Sequence, residues 1–357
     1  MEDMELDRKF WCGRKVLITG NTGFKGSWLT LYLLRLGANV VGYSLRGINF
    51  DSIYYRTNIK ASLYDSISGD IKDLQSLKDV VTTCKPSVIF HLAAQSLVKE
   101  SFVEPLDTLS VNIIGTANIL EVLRQINQPV ILIVATSDKC YANTSDNQVY
   151  KESARLGGND LYSASKACCE LVVNAYNCSF FENTQCKVAT VRAGNVIGGG
   201  DYAANRIIPD CVRSLQSKSI LSVRNPQAIR PWQHVLEPLT GYLQLAEYLS
   251  KGKCKNEFQW NFGPSTKQTK TVEWVLIYLK NKWKNLKWQY KGSDLIESDY
   301  LMIDSSKANS QLGWRQKLKI EDALDYVTEW YEDVWNGKTM EETCLKQIDL
   351  YLELVKQ

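Results

Sequence analysis

Short apolar runs closed by glycine or a polar turn alternate, through the first half of the chain, with longer stretches whose apolar positions recur at helical spacing. Lys15-Val-Leu-Ile-Thr19 predicts a buried parallel strand ending in a glycine cluster. Residues 27–36 predict a helix stopped at Gly37, and 39–44 a second strand. Further strands are expected at 64–68, 87–91, 130–135 and 188–192, with helices at 73–83, 108–127 and 162–180. Strands separated by helices imply an α/β protein built on a Rossmann-type, doubly wound parallel sheet. Beyond Asn195 the pattern breaks. Gly198-Gly-Gly-Asp201 reads as a loop, and Pro209, Pro226, Pro231 and Pro238 interrupt the chain after it, so the last third reads as a smaller mixed α/β domain.

Composition narrows the function classes. The 357 residues are 45% apolar and 23% charged, as in ordinary globular proteins. With 42 basic and 39 acidic residues the net charge is +3, which leaves no chain-wide footprint for nucleic acid or an acidic membrane as partner. Only two histidines occur, His91 and His234, so no metal centre is expected. None of the ten cysteines has C-x-x-C spacing, and they are expected to be buried and reduced. The amino terminus lacks the apolar segment of a signal peptide, and no run is expected to approach a membrane span. The expected compartment is the cytoplasm.

Three constellations carry chemistry. Gly20-Asn-Thr-Gly23-Phe-Lys-Gly26 follows a predicted strand and opens a helix, where glycines let backbone approach a pyrophosphate held at the helix N-terminus. The acidic residue that often grips the adenosine ribose is absent from Tyr43-Ser44-Leu45-Arg46. Arg46 suits a 2′-phosphate or is simply solvated, so NAD and NADP both remain open on these residues. Tyr162 and Lys166 lie one helical turn apart on one face. A nearby ammonium and a cationic nicotinamide would favour phenolate and make the tyrosine a base. Ser137-Asp138-Lys139 follows the apolar strand 130–135, at the sheet edge where open α/β proteins bind ligands.

Together these motifs resemble the extended short-chain dehydrogenase/reductase family of nucleotide-sugar enzymes. Longer stretches are similar to one branch, the CDP-glucose 4,6-dehydratases: residues 19–28, His91-Leu-Ala-Ala-Gln-Ser-Leu-Val98, residues 192–201, Arg224-Asn-Pro226 and Arg230-Pro-Trp-Gln-His-Val-Leu-Glu-Pro238. The likeness continues through Trp260-Asn-Phe-Gly-Pro264 and Asp304-Ser-Ser-Lys-Ala308 to Leu312-Gly-Trp314. It implies a Rossmann domain over 12–194, to which part of 232–264 returns, and a substrate domain from 195–231 and 265–350. It also implies a bound NAD and a CDP-glucose substrate that is oxidised at C4, loses water across C5–C6 and regains hydride at C6.

Carried onto this chain, the resemblance makes Tyr162 the base at the 4-hydroxyl, Lys166 its partner and ribose ligand, and Ser137 a hydrogen-bond donor to the reacting oxygen. Asp138 and Lys139 become acid and base for the elimination, with the reversed assignment open. A lysine acting as base near neutrality must give up its charge at a cost of about 4 kcal/mol, and a carboxylic acid needs the opposite shift. Cofactor contacts fall on Gly20, Thr22, Gly23, Phe24, Lys25, Gly26, Asp70, Ile71, Leu92, Ala93 and Ala94. Asn195 and Arg230 would hold the diphosphate, and Gln95, Asn205, Arg206 and His234 would face the sugar nucleotide, although His91 and His234 read better as packed, hydrogen-bonded imidazoles. Relatives commonly pair through helices that here would be 108–127 and 162–180, so a homodimer is expected. Asn21, Leu161 and the loop 142–149 depart from the branch pattern, and the loop bears on nucleotide and sugar choice. A 4-epimerase would have no need of Asp138-Lys139.

Overall fold

The computed structural model describes residues 5–46, 51–126, 128–143, 148–252, 258–292 and 300–356. Seven strands form one sheet: β1 (Lys15–Thr19), β2 (Asn39–Ser44), β3 (Asp65–Ser68), β4 (Val88–His91), β5 (Ile131–Ala135), β6 (Lys187–Ala193) and β7 (Gln259–Phe262). Their order is β7-β6-β5-β4-β1-β2-β3, and every neighbouring pair is parallel. This is the doubly wound sheet the sequence predicts. The order reverses between β1 and β4, and Thr19 at the end of β1 stands opposite both Tyr43 and His91. Ligands bind such sheets at that reversal, beyond the strands' carboxyl ends.

Alternate residues of β1, β2, β4 and β5 feed opposite cores. Leu17, Val41, Ile89 and Leu132 pack with Leu77 and Val81 of α2 (Leu74–Cys84) and with Ile119 and Leu123 of α3 (Gly115–Ile126). Val16, Ile18, Val40, Phe90 and Ile133 face the other way, onto Trp28 and Leu29 of α1 (Phe24–Arg35) and Leu239 and Leu243 of α5 (Leu236–Ser250). Burial on both faces is why the strands read as unbroken apolar runs. Helix α4 (Leu161–Tyr176) starts under an Asp160 cap that accepts from the Ser163 N–H.

Several expectations need adjusting. Helix α1 begins three residues before 27, because the glycine loop itself forms its first turn. The helix expected at 108–127 is composite: Pro105–Leu109, a π turn at Ser110–Ile114, then α3, with Asn127 outside the described residues. By length and composition Pro105–Ile126 is apolar enough to cross a membrane, contrary to the expectation of no such run. Here nearly half of that stretch is buried, and α3 packs against α2 and α4. Cys12 and Cys178 are exposed rather than buried, all nine described cysteines are free, and Cys254 lies outside the described residues.

The Arg230–Pro238 stretch is largely a structural seam. Trp232 Nε1 donates to the Lys270 carbonyl at 3.0 Å, and Gln233 Nε2 to the Phe262 carbonyl at 2.8 Å. The Glu237 carboxylate accepts from the N–H groups of Lys317 and Leu318 and from the Tyr351 hydroxyl on α6 (Met340–Val355). Burial nevertheless pushes the Glu237 carboxyl up to about 7, and Glu247, bonded to Trp11, likewise. A carboxyl whose folded value is raised binds its proton more tightly when folded. Its contribution to stability is complete below the unfolded value and is lost as pH rises through about 7. The Tm of the wild type should therefore fall between pH 5 and 8, and Glu237→Gln should make that decline visibly shallower in a thermal-shift series. An unchanged slope would reject the assignment.

Candidate active site

The glycine loop meets its steric requirements at two points. Gly20 has φ +76°, and a Cβ there would lie 2.7 Å from the Ala93 nitrogen. A Cβ on Gly26 would lie 2.1 Å from the Gly20 carbonyl oxygen. Gly23 occupies the cap position of α1 and no side chain caps the helix, so its first N–H groups face outward. This cradle and uncapped helix start fit the pyrophosphate of a dinucleotide. Thr22 donates its N–H to Ser44 Oγ at 3.4 Å, and Phe24 is half-buried against Gly198. Leu92 and Ala93 form the facing wall, their N–H groups bonded to the Thr19 carbonyl and hydroxyl, with Ala94 beside them. Asp70 lies beyond the end of β3, ion-paired with Lys72 at 3.6 Å, and Ile71 is buried against Gly115.

His91 is a packed core imidazole. Its Nδ1 meets Thr19 Oγ1 at 2.8 Å and its Nε2 meets Thr116 Oγ1 at 3.3 Å. Burial holds it down at about 3, so the ring stays neutral.

The three residues after Thr136 and the first turn of α4 are brought together. Ser137 caps the short 3₁₀ turn Asp138–Cys140, accepting from the Lys139 N–H and donating to Asp138 Oδ1 at 2.9 Å. Asp138 is buried, its Oδ2 has no hydrogen-bond partner among the described residues, and burial raises its carboxyl against the pull of Lys139, Ser137, Lys25 and Arg230. Burial thus favours the protonated form of this carboxyl. Among the protein's own groups, burial pushes the Tyr162 phenol up to about 12; Asp138 acts in the same direction, Ser137 and Arg206 against it. Burial also lowers Lys166, whose Nζ donates to the Ala135 carbonyl at 3.3 Å. The expectation that the Lys166 ammonium pulls the phenol down is therefore corrected: the dry pocket drives both groups toward their neutral forms. Lys25 belongs to this cluster as well, lowered to about 8 by burial and by Arg206 and Lys166, with Asp138 opposing.

Other expected residues stand elsewhere. The Gln95 amide is engaged within its own loop, donating to the Leu97 carbonyl and Thr108 Oγ1 and accepting from the Leu97 N–H, so it shapes the loop. His234 is fully buried, edge-on to Trp28 and Tyr326, and burial lowers it to about 3; it is a core residue, not a substrate ligand. Asn195 is half-buried on the loop after β6, its carbonyl accepting from the Gln233 N–H. Asn205 is exposed, with φ +64°. Arg206 pairs with Asp201 at 3.0 Å and reaches Ser96 at 3.3 Å, joining two loops near Tyr162.

The glycine loop at the sheet reversal, the buried Tyr162 and Lys166 and the Ser137-Asp138-Lys139 turn lie close together. The family model described as GDP-mannose 4,6 dehydratase matches residues 17–327. The chain belongs to this family. A CDP-glucose 4,6-dehydratase of Salmonella typhimurium is 40% identical over 354 residues, covering 97% of this chain and 98% of that protein. Among solved structures, an epimerase from Methanothermobacter thermautotrophicus superposes with a TM-score of 0.79 at 21% identity, covering 92% of this chain and 95% of that one. A dTDP-glucose 4,6-dehydratase from Bacillus anthracis, in complex with NAD, gives 0.73 at 20% identity, covering 90% and 97%. At those identities the likeness is one of fold.

Within this dehydratase-family site, one group of polar residues escapes sequence reasoning. Thr136, Tyr141, Glu170, Thr190 and Arg192 form a buried network directly behind the turn. The only hint along the chain is that Glu170 continues the Tyr162, Lys166 spacing by one more helical turn.

Proposed function

We propose that this protein is a CDP-glucose 4,6-dehydratase that converts CDP-D-glucose to CDP-4-keto-6-deoxy-D-glucose without net redox change. One observation carries the reading: a buried carboxyl, Asp138, with an unpartnered oxygen, stands next to Lys139 and close to Tyr162, with Lys166 one turn further along the same helix. The 40% identity to the Salmonella enzyme over nearly the whole of both chains supports the nucleotide and the sugar.

NAD, when bound, supplies the acceptor for the C4 hydride and its donor to C6. Tyr162 takes the proton of the 4-hydroxyl, while Ser137 hydrogen-bonds that oxygen and Lys166 holds the ribose. The ketone at C4 makes the C5 hydrogen acidic. Lys139 removes that proton, and Asp138 protonates the departing 6-hydroxyl, which leaves as water. Lys139 then returns its proton to C5 as hydride reaches C6, and the proton that Tyr162 took from the 4-hydroxyl replaces, by way of solvent, the one that Asp138 gave up, so atoms and charge balance. Asn195 and Arg230 bind the diphosphate, and Asn205 and Arg206 line the sugar nucleotide. Residues 195–231 and 265–350 act as the substrate-binding part, and residues 12–194 with part of 232–264 as the cofactor-binding part.

The same reading takes the protein as a cytoplasmic homodimer, with no membrane or nucleic-acid partner, making a deoxysugar precursor for polysaccharide. Exposed Ile114, Leu171 and Phe180 lie on the helical segments expected to pair, which supports the dimer.

Turnover of CDP-glucose deuterated at C4 tests the function. The label is expected at C6 of a dehydrated product. Product lacking that transferred label would reject the mechanism. An inverted, undehydrated sugar would instead identify a 4-epimerase, and turnover of another NDP-glucose alone would change only the nucleotide.

A further inference from the structure

Glu170 and Arg192 form an ion pair sealed from solvent, each side chain 1% exposed. Arg192 Nε donates to Glu170 Oε1 at 2.9 Å and its Nη2 to Oε2 at 2.7 Å, a bidentate fork. Each carboxylate oxygen accepts once more, Oε1 from Thr136 Oγ1 at 2.5 Å and Oε2 from Thr190 Oγ1 at 2.7 Å. Arg192 Nη1 donates to the Tyr141 hydroxyl at 2.7 Å and to the Glu152 carbonyl at 3.1 Å. The Tyr141 hydroxyl in turn donates to Asn261 Oδ1 on β7 at 2.7 Å.

The chain positions give this network its meaning. Thr136 immediately precedes Ser137-Asp138-Lys139, and Tyr141 immediately follows the 3₁₀ turn. Glu170 lies on α4, one turn beyond Lys166 and two beyond Tyr162. One buried pair is thus bonded to both ends of the acid-base turn and to the helix that carries the other two catalytic groups. Such pairs add little net stability, because desolvating two charges offsets their attraction. What a bidentate pair fixes well is orientation.

We propose that Glu170 and Arg192 are positioning residues that set the separation between Asp138-Lys139 and Tyr162-Lys166, so that one bound sugar can be oxidised at C4 and deprotonated at C5 without moving. This rests on the 4,6-dehydratase reading above. The Glu170 carboxylate also favours the charged form of Lys166 against burial.

Replacing either charged partner would strand the other in the core and report on folding. Single hydroxyl deletions are the better instruments. Thr136→Val loosens one end of the turn, and Tyr141→Phe the other while keeping its ring stacked on Tyr150. Each should lower kcat on CDP-glucose about tenfold with KM changed by no more than about twofold. Reduced cofactor should accumulate, seen by its near-ultraviolet absorbance, because C5 deprotonation lags behind C4 oxidation. Thr136→Ser should restore the wild-type rate. Without any sugar present, amide hydrogen exchange across residues 137–141 should rise about tenfold in Thr136→Val. Unchanged exchange there overturns the positioning role, as does equal slowing of oxidation and C5 deprotonation. A wild type that ignores CDP-glucose defeats the functional reading instead, and the exchange result still judges the network.

Discussion

Tyr162→Phe is expected to lower turnover of CDP-glucose by about 10²- to 10⁴-fold, the usual worth of a positioned general base. The substitution removes one oxygen and keeps the ring. Tyr162 is a buried residue of the first turn of α4, whose start is fixed by the Asp160 cap, so packing and Tm should hardly change. Because burial pushes the phenol up to about 12, its ionised fraction grows as pH rises through neutrality. The wild-type rate of C4 oxidation should climb on that limb, and the variant should lose the climb along with the rate. Steady-state turnover across pH, with cofactor binding followed by fluorescence titration, checks both. A variant retaining more than about a tenth of wild-type activity would show that the proton goes elsewhere.

Lys139→Met should separate the two halves of the reaction. Tyr162, Lys166 and Ser137 remain, so C4 oxidation continues and reduced cofactor builds up, whereas exchange of the C5 hydrogen with solvent falls by about 10²-fold or more. The expectation rests on the proposed division of labour: a phenol on a helix for the first proton, an amine on the neighbouring turn for the second. Asp138→Asn should spare C5 exchange and slow loss of water, because an amide cannot protonate the departing hydroxyl. If Lys139→Met exchanged C5 hydrogen at an undiminished rate and Asp138→Asn did not, the two roles would be reversed.

The parts of the fold legible in the sequence are those fixed by local pattern. Val16–Ile18 and Ile131–Val134 read as strands because both faces are covered, and Gly37 with φ +86° reads as a helix stop because few other residues adopt that conformation. The π turn at Ser110–Ile114 has no compositional signature, so the helix through it reads as continuous. At the site, Tyr162, Lys166 and Ser137-Asp138-Lys139 are visible through their spacing and their place after a strand. The loop role of Gln95 is not legible along the chain, because Leu97 and Thr108 become its partners only when the loop closes. Glu170 and Arg192 are silent for a related reason. They are separated by 22 positions, and each reads alone as an ordinary charge on a helix or at a strand end.

Strand β7 has a consequence for how the protein is made. It pairs with β6, yet it is encoded some sixty residues later, after the chain has left the sheet and come back. A fragment ending near residue 194 would bare the amides of β6 along an open edge, a template for sticking to other chains. On the ribosome the same problem is temporary: β6 stays an edge until β7, the edge strand of the finished sheet, has emerged and Lys307 Nζ can donate to the Gln259 carbonyl. Residues 12–194 taken alone would therefore carry a strand edge that the longer chain covers.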